Sequence, residues 1–142
     1  MLTGEAAEMA KGSTGLNDEE LAKLHPGFEK LFKNAPNILQ YQTVAEVVQS
    51  EHCFAQVQVG DNLVFDPFLN PEKSKGIMCA RALLPIMVQM NSIMEMMSEW
   101  AESGKDELPE MLFRTVRCLD PGFEVGGIGG VVYKIRMEKM EA

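Results

Sequence analysis

The longest patterned apolar segment of the chain spans residues 75–104 and predicts a long helix. Four of its methionines recur at the three- and four-residue spacings that place side chains on one helical face: Met87, Met90, Met94 and Met97. Gly104 suits the C-terminal cap, and Pro85 predicts a kink or a junction between two helical segments. Met96 lies off the methionine face, so the helix is apolar on more than one side, which favours burial against another subunit.

The first 37 residues have the pattern of a polar tail followed by short helices. Residues 1–15 are small and polar, and we expect a mobile tail or an arm that orders against another subunit. Asn17 followed by Glu20 predicts a capping box. Pro26 either splits the helical face that follows or begins its second helix, and residues 34–37 are expected to end this region. That face is formed by Leu21, Leu24, Phe28, Leu31 and Phe32.

Alternation of apolar and polar residues predicts strands in the rest of the chain. Residues 38–50 fit either a strand or a helix, and their β-branched side chains favour the strand. Residues 54–59 and 63–65 flank a Gly60-Asp61-Asn62 turn, which predicts a hairpin. Two more strands are predicted: 111–118 and 131–137.

These elements predict an α+β fold with a small, mainly antiparallel sheet packed by one long methionine-rich helix. A helical extension precedes the sheet. We therefore divide the chain into residues 1–37, with the tail and short helices, and residues 38–142, with the α+β domain.

Charge and composition narrow the classes of partner and the compartment. The 142 residues carry a formal net charge of −8, so the chain lacks the basic surface that nucleic acid or an anionic membrane requires. No signal peptide and no apolar run of membrane-spanning length is apparent, which makes the cytoplasm the expected compartment. Three widely spaced cysteines do not form a disulfide framework there, and we expect thiols or metal ligands.

The three cysteines are the main candidates for chemistry. Cys53, Cys79 and Cys118 each lie where a predicted element begins or ends, and three thiolates are a familiar ligand set for zinc. Cys79 lies in the first turn of the long helix, where the helix dipole favours a thiolate. The alternative is that all three are small apolar core residues. The intervals of 25 and 38 residues lack the close pairing of zinc ribbons.

Other polar residues near the cysteines are weaker candidates. His52 neighbours Cys53, but adjacent strand residues point to opposite faces, so it is a poor fourth ligand. Asp120 is either a catalytic acid or, more simply, part of a turn with Pro121 and Gly122. The glycine-rich run 126–130 lacks the Lys-Ser/Thr of a phosphate-binding loop and suits a turn or a close backbone approach. Any of four side chains is able to orient a ligand: Asp61, Asp66, Arg81 and Asp120.

The order of these segments resembles a family of small, uncharacterised bacterial and archaeal proteins over residues 38–137. The resemblance is carried by Cys53, by Val59-Gly60-Asp61, by Cys79 with Ala82-Leu83 and Pro85, by Cys118 with Asp120, and by Val132-Tyr133-Lys134-Ile135-Arg136. Family members often have proline directly after the second and third cysteines, where this chain has Ala80 and Leu119. The resemblance implies that the three cysteines form one thiolate site with zinc as its first candidate occupant and iron as its second.

Three functions are compatible with these features. The first is a small metal-binding accessory or structural subunit, with zinc on Cys53, Cys79 and Cys118, in a larger enzyme complex or a homo-oligomer. The second is a small enzyme or catalytic subunit of decarboxylase or lyase type, using a thiolate-bound metal or a reactive Cys79. The third is an interaction module with core cysteines and no metal. The sequence does not identify a small-molecule ligand.

Overall fold

The computed structural model describes residues 1–141 and has an α+β fold, as predicted. Its helices are α1 (Gly4–Thr14), α2 (Asp18–Leu21), α3 (Pro26–Ile38) and α4 (Ala80–Ser103). Its strands are β1 (Tyr41–Glu51), β2 (Asn62–Phe65), β3 (Thr115–Arg117) and β4 (Gly130–Lys139), with a short 3-10 helix at Phe123–Val125. The chain divides into two compact units, which we call the helical unit (1–38 and 95–109) and the sheet unit (39–94 and 110 onward).

The helical unit begins with a helix, where we expected either a mobile tail or an arm that orders against another subunit. Residues 4–14 form α1, and the N–H of Gly15, at a φ of 77°, donates to the Lys11 carbonyl at 2.8 Å to cap it. Apolar side chains of α1 pack in a core, and this tertiary packing stabilises the helix. This core consists of Leu2, Ala7, Ala10 and Leu21, packed by Ala6, Leu16, Leu24 and Phe32.

The predicted capping box is present at the start of α2. The Glu20 N–H donates to Asn17 Oδ1 at 3.0 Å, and the Asn17 N–H donates to Glu20 Oε2 at 2.9 Å. Pro26 begins α3, but the prediction that residues 34–37 end the helical region was wrong. Asn34 is nearly buried, and its Nδ2 donates to the Lys30 carbonyl at 2.9 Å and to Glu102 at 2.6 Å, which holds the last turn in helical form.

The sheet unit contains a four-stranded antiparallel sheet in the order β2-β1-β4-β3. β1 and β4 are the two central strands and pair from Tyr41↔Lys139 to Glu51↔Gly130, with a register shift between Val47 and Gln49. The largest fully buried side chains of the unit are Val47, Phe65, Ile86, Tyr133 and Ile135. The strand assigned to residues 38–50 is therefore confirmed as β1.

The hairpin predicted over residues 54–65 is wrong. β1 pairs directly with β2, from Thr43↔Phe65 to Glu46↔Asn62, so residues 52–61 connect the two strands as a loop. The Val47 N–H donates to the Asp61 carbonyl at 2.8 Å, and the Gly60 N–H donates to the Val47 carbonyl at 3.0 Å. The backbone N–H and carbonyl of Val47 are thus bonded to residues 60 and 61 at the end of the loop. Residues 54–59 therefore form no strand.

Two other predicted elements are present with different bounds. The long helix runs over Ala80–Ser103 and contains Pro85. It begins later than residue 75 because Lys75 pairs with Asn62 in a short antiparallel bridge and is therefore extended. The strand predicted over residues 111–118 shortens to Thr115–Arg117, an edge strand that pairs only with β4. No helix within residues 1–141 is both long and apolar enough to cross a membrane.

Gly129→Ala is expected to destabilise the sheet unit by about 2–3 kcal/mol, the scale of an overpacked core site. A Cβ at this position lies 1.9 Å from the Glu51 carbonyl oxygen, and a backbone atom cannot rotate away. Urea unfolding of both proteins measures the difference. Gly12→Ala is the matched control, because a Cβ there meets nothing within 4 Å and alanine favours a helix. Equal losses in the two variants would contradict the predicted clash.

The ion pair between Asp66 and Lys73 predicts acid sensitivity of the sheet unit. Lys73 Nζ lies 2.8 Å from Asp66 Oδ2, and this bond, together with one from Asn70, holds the pKa of Asp66 below its usual value. Because the folded-state pKa is lowered, this stabilisation is present above about pH 4 and is lost as the pH falls. Asp66→Asn is expected to flatten the decline in unfolding free energy between about pH 5 and 2.

The control for this pH series is Glu72→Gln on the same loop. Within residues 1–141 the Glu72 side chain forms no hydrogen bond or ion pair, so its replacement should leave the acid decline unchanged. An Asp66→Asn protein that loses stability with acid as steeply as the parent would show that the ion pair does not produce the decline.

Candidate functional site

The three predicted cysteines line one cavity of about 330 Å³ in the sheet unit. Cys53 lies in the loop after β1, Cys79 directly precedes α4, and Cys118 directly follows β3. All three are free thiols and half-buried. We call this space the thiol cavity.

Cys79 is placed by the start of α4. Its carbonyl accepts hydrogen bonds from the N–H groups of Ala82 at 3.0 Å and Leu83 at 2.9 Å, as expected of the residue that caps a helix. The side chain therefore lies at the N-terminal end of a 24-residue helix. That end carries the positive end of the helix dipole, which favours a negatively charged group.

Cys118 is placed by β4. Its N–H donates to the Val131 carbonyl at 3.0 Å, and its Sγ accepts a hydrogen bond from the Val131 N–H at 3.3 Å. The next residue, Leu119, donates its N–H to the Arg81 carbonyl at 3.1 Å. These bonds connect the segment after β3 both to the sheet and to the first turn of α4. Hydrogen bonds therefore hold together the backbone segments that carry Cys118 and Cys79.

Cys53 lies in a turn that two left-handed residues bracket. His52 and Gln56 have φ values of 46° and 58°, and the Gln56 N–H donates to the Cys53 carbonyl at 3.0 Å. Non-glycine residues in this region cost about 1–3 kcal/mol each, and such residues concentrate at binding and catalytic sites. The strain therefore supports a functional role for this turn.

Tyr133 of β4 forms part of the cavity wall. The residue is 2% exposed, and burial, followed by the nearby thiols and Asp61, raises the pKa of its hydroxyl to about 12. The hydroxyl is thus protonated at neutral pH. The remaining apolar lining comes from Phe54 and from small side chains: Ala55, Val57, Ala80, Ala82 and Val131.

Asp120 also lines the cavity, but its carboxylate is already occupied. It accepts hydrogen bonds from the N–H groups of Gly122 and Ile128 at 3.0 Å and of Gly129 at 3.3 Å. These bonds, and the charge of Arg81, hold the pKa of Asp120 below its usual value. The carboxylate is therefore an anchor for the loop after Cys118, consistent with the turn interpretation of the Asp120 segment.

The glycine-rich run wraps this carboxylate. A Cβ at Gly127 would lie 2.1 Å from Asp120 Oδ1, so only glycine permits the close approach. The loop amides bind an anion supplied by the protein, which agrees with a close backbone approach and leaves the phosphate-loop alternative without support.

Three other sequence candidates, His52, Asp61 and Asp66, are not among the residues that line the thiol cavity. His52 is exposed and lines a neighbouring cavity of about 750 Å³ together with Arg117 and Phe123. Asp61 accepts the Gln58 N–H at 3.0 Å within its turn, and Asp66 pairs with Lys73. Sequence reasoning did not find this neighbouring cavity, because no motif marks the residues that form it.

The donor set suits zinc, but the thiols do not form a closed coordination shell. Within residues 1–141, no group of three or more His, Cys, Asp or Glu side chains is arranged to hold a metal ion. Three sulfur donors in one cavity match the chemistry that zinc or iron prefers. The zinc site on Cys53, Cys79 and Cys118 stays a prediction.

Comparison of the chain with protein-family models, with curated proteins and with solved structures found no match. The resemblance to the three-cysteine family therefore also stays a prediction.

Asp120→Ala is expected to release the glycine-rich loop. Removing the carboxylate leaves three backbone N–H groups without their acceptor, and the amide hydrogens of Gly122, Ile128 and Gly129 should exchange with solvent at least about tenfold faster. Hydrogen exchange read by NMR measures this. Glu124→Ala in the same loop is the control, and unchanged protection in Asp120→Ala would contradict the anchoring role.

Proposed function

We propose that this protein is a small cytoplasmic metal-binding subunit whose thiol cavity takes one thiophilic metal ion, with zinc as the first candidate. Cys53, Cys79 and Cys118 supply the sulfur ligands. The observation that carries the proposal is the meeting of three cysteines, separated by 25 and 38 intervening residues, at one half-buried cavity. Half-burial supports binding over the alternative of core cysteines, since core thiols are most often fully buried.

Metal binding in this proposal closes the cavity. The sulfurs share a cavity without forming a shell, so holding one ion would require the three cysteine segments to move closer together. Binding requires deprotonated sulfurs and therefore releases protons, and its free energy adds to the stability of the sheet unit. His52 is not a ligand, because it lines the neighbouring cavity.

The accessory role rests on apolar surface of the sheet unit. The first half of α4 exposes Leu84, Met87 and Val88, and the segment after it exposes Leu112 and Phe113. Gln89 Nε2 donates to the Phe113 carbonyl at 3.2 Å and so links the two segments. Exposed apolar side chains held close together in this way are typical of a surface that another subunit covers.

A small enzyme or catalytic subunit is the second candidate, and the size of the cavity favours it. A volume of about 330 Å³ exceeds what a single ion fills and lies at the lower end of ligand pockets. A metal with three sulfur ligands would keep its fourth position open for a substrate. Decarboxylase or lyase chemistry with the metal, or with Cys79 as a nucleophile, belongs to this candidate.

Zinc loading of anaerobically purified, reduced protein tests the proposal. The parent protein is expected to bind about one zinc per chain by elemental analysis, with all three thiols masked from a thiol reagent. Cys53→Ser, Cys79→Ser and Cys118→Ser should each weaken zinc binding more than about 100-fold in competition with a chelating dye. Loss of a ligand should exceed the 10- to 100-fold cost of losing a residue that only orients one.

His52→Asn is the matched control, because it removes the imidazole next to Cys53 and asparagine tolerates the left-handed backbone of this position. It should retain zinc with the parent affinity. Cobalt substitution then separates the two candidates: a fourth ligand from the protein favours the structural subunit, and an exchangeable fourth position favours the enzyme. Three freely reactive thiols in zinc-treated protein would overturn the proposal.

A further inference from the structure

Arg81 is an exposed cation at the thiol cavity. The chain has four arginines, and the other three are bonded: Arg114 to Glu110, Arg117 to the Asp120 carbonyl, and Arg136 to Glu46 and Glu138. Within residues 1–141, the Arg81 guanidinium forms no hydrogen bond or ion pair. An unpaired arginine stands out in a chain with 21 acidic residues and 13 basic ones.

The backbone of Arg81 is fixed relative to the thiols. Arg81 follows Cys79 by two residues, and its carbonyl accepts the N–H of Leu119, the residue after Cys118. The Arg81 backbone is therefore anchored beside the segments that carry two of the three cysteines, and Arg81 lines the same cavity.

The acidic residue that shares the cavity, Asp120, is within reach of the charge of Arg81 but forms no ion pair with it. The Asp120 carboxylate accepts three backbone N–H groups of its own loop, and no ion pair joins it to Arg81. The Asp120 carboxylate thus has its oxygens bonded by the protein, whereas the N–H groups of the exposed Arg81 side chain are available to a ligand. A guanidinium presents two parallel N–H donors that match the oxygens of a planar carboxylate.

The size and the apolar lining of the cavity indicate what kind of group accompanies the carboxylate in a ligand. The small side chains of Ala55, Val57, Ala82 and Val131 leave apolar space for a short carbon chain. We infer that the thiol cavity binds a small organic carboxylate, with Arg81 holding the carboxylate group and the apolar wall holding the carbon chain. This inference builds on the proposed function in using the same cavity, but it does not depend on the metal.

Alkylation of the metal-free protein with two reagents of similar size tests the inference. Iodoacetate is a small carboxylate and iodoacetamide is its neutral analogue. In both reactions a cavity thiolate attacks the CH2 carbon, a C–S bond forms, and iodide leaves with the C–I electrons. The ratio of the two rates cancels the thiolate fraction, and therefore reports the attraction of the carboxylate alone.

The rate ratio, followed for each cysteine by mass spectrometry, is expected to fall by about threefold or more in Arg81→Gln, the scale of a partly exposed ion pair. Arg114→Gln removes a charge away from the cavity and should keep the parent ratio. Equal iodoacetamide rates of the parent and Arg81→Gln at high pH, where the thiols of both proteins are fully ionised, show that the cavity of the variant is intact. Added salt should lower the ratio of the parent protein towards that of the variant.

Reversible binding is tested with sodium butyrate as a protectant. Butyrate should slow alkylation of the parent protein by iodoacetamide and leave Arg81→Gln unaffected, whereas butyramide should protect neither. Equal rate ratios in the parent and Arg81→Gln, or equal protection by butyrate and butyramide, would overturn the inference. Failure of zinc binding would leave both measurements unaffected, because they are made without metal.

Discussion

The antiparallel pairing of β1 with β4 is the interaction on which the sheet unit depends. It extends from Tyr41↔Lys139 to Glu51↔Gly130 and places the loop that carries Cys53 beside the start of β4. β4 supplies Tyr133 and Val131 to the thiol cavity, and its edge partner β3 leads into Cys118. The close approach of Gly129 to the Glu51 carbonyl closes this end of the pairing. A one-residue slip would turn the Tyr133 side chain to the opposite face.

Two opposite charges at the thiol cavity have different roles because their partners differ. The carboxylate of Asp120 is enclosed by backbone N–H groups and serves to fold the glycine-rich loop. The guanidinium of Arg81 has no partner among residues 1–141 and is available to a ligand. The glycine-rich loop, whose sequence invites a phosphate-loop interpretation, therefore binds an internal carboxylate. The cation that attracts an external anion in our inference lies on α4.

Local chemistry made some elements predictable. The Asn17–Glu20 capping box, the helix that begins at Pro26 and the alternation of β1 depend on contacts within a few residues. The helix at residues 4–14 and the loop at 52–61 were not predicted, because both depend on distant partners. α1 is ordered by a core shared with Leu21 and Phe32, and residues 54–59 lose their expected pairing because β1 pairs with β2.

The sequence by itself determined the α+β class, the long helix and the candidate ligands Cys53, Cys79 and Cys118, because periodicity and residue chemistry are local properties. Only the tertiary structure decided that the three thiols share one cavity, that His52 lies outside it and that Arg81 lines it unpaired. These relations join segments 25 or more residues apart through strand pairing and backbone hydrogen bonds. No spacing pattern encodes these relations, because connecting segments of many different lengths can join the same elements at a similar cost in entropy.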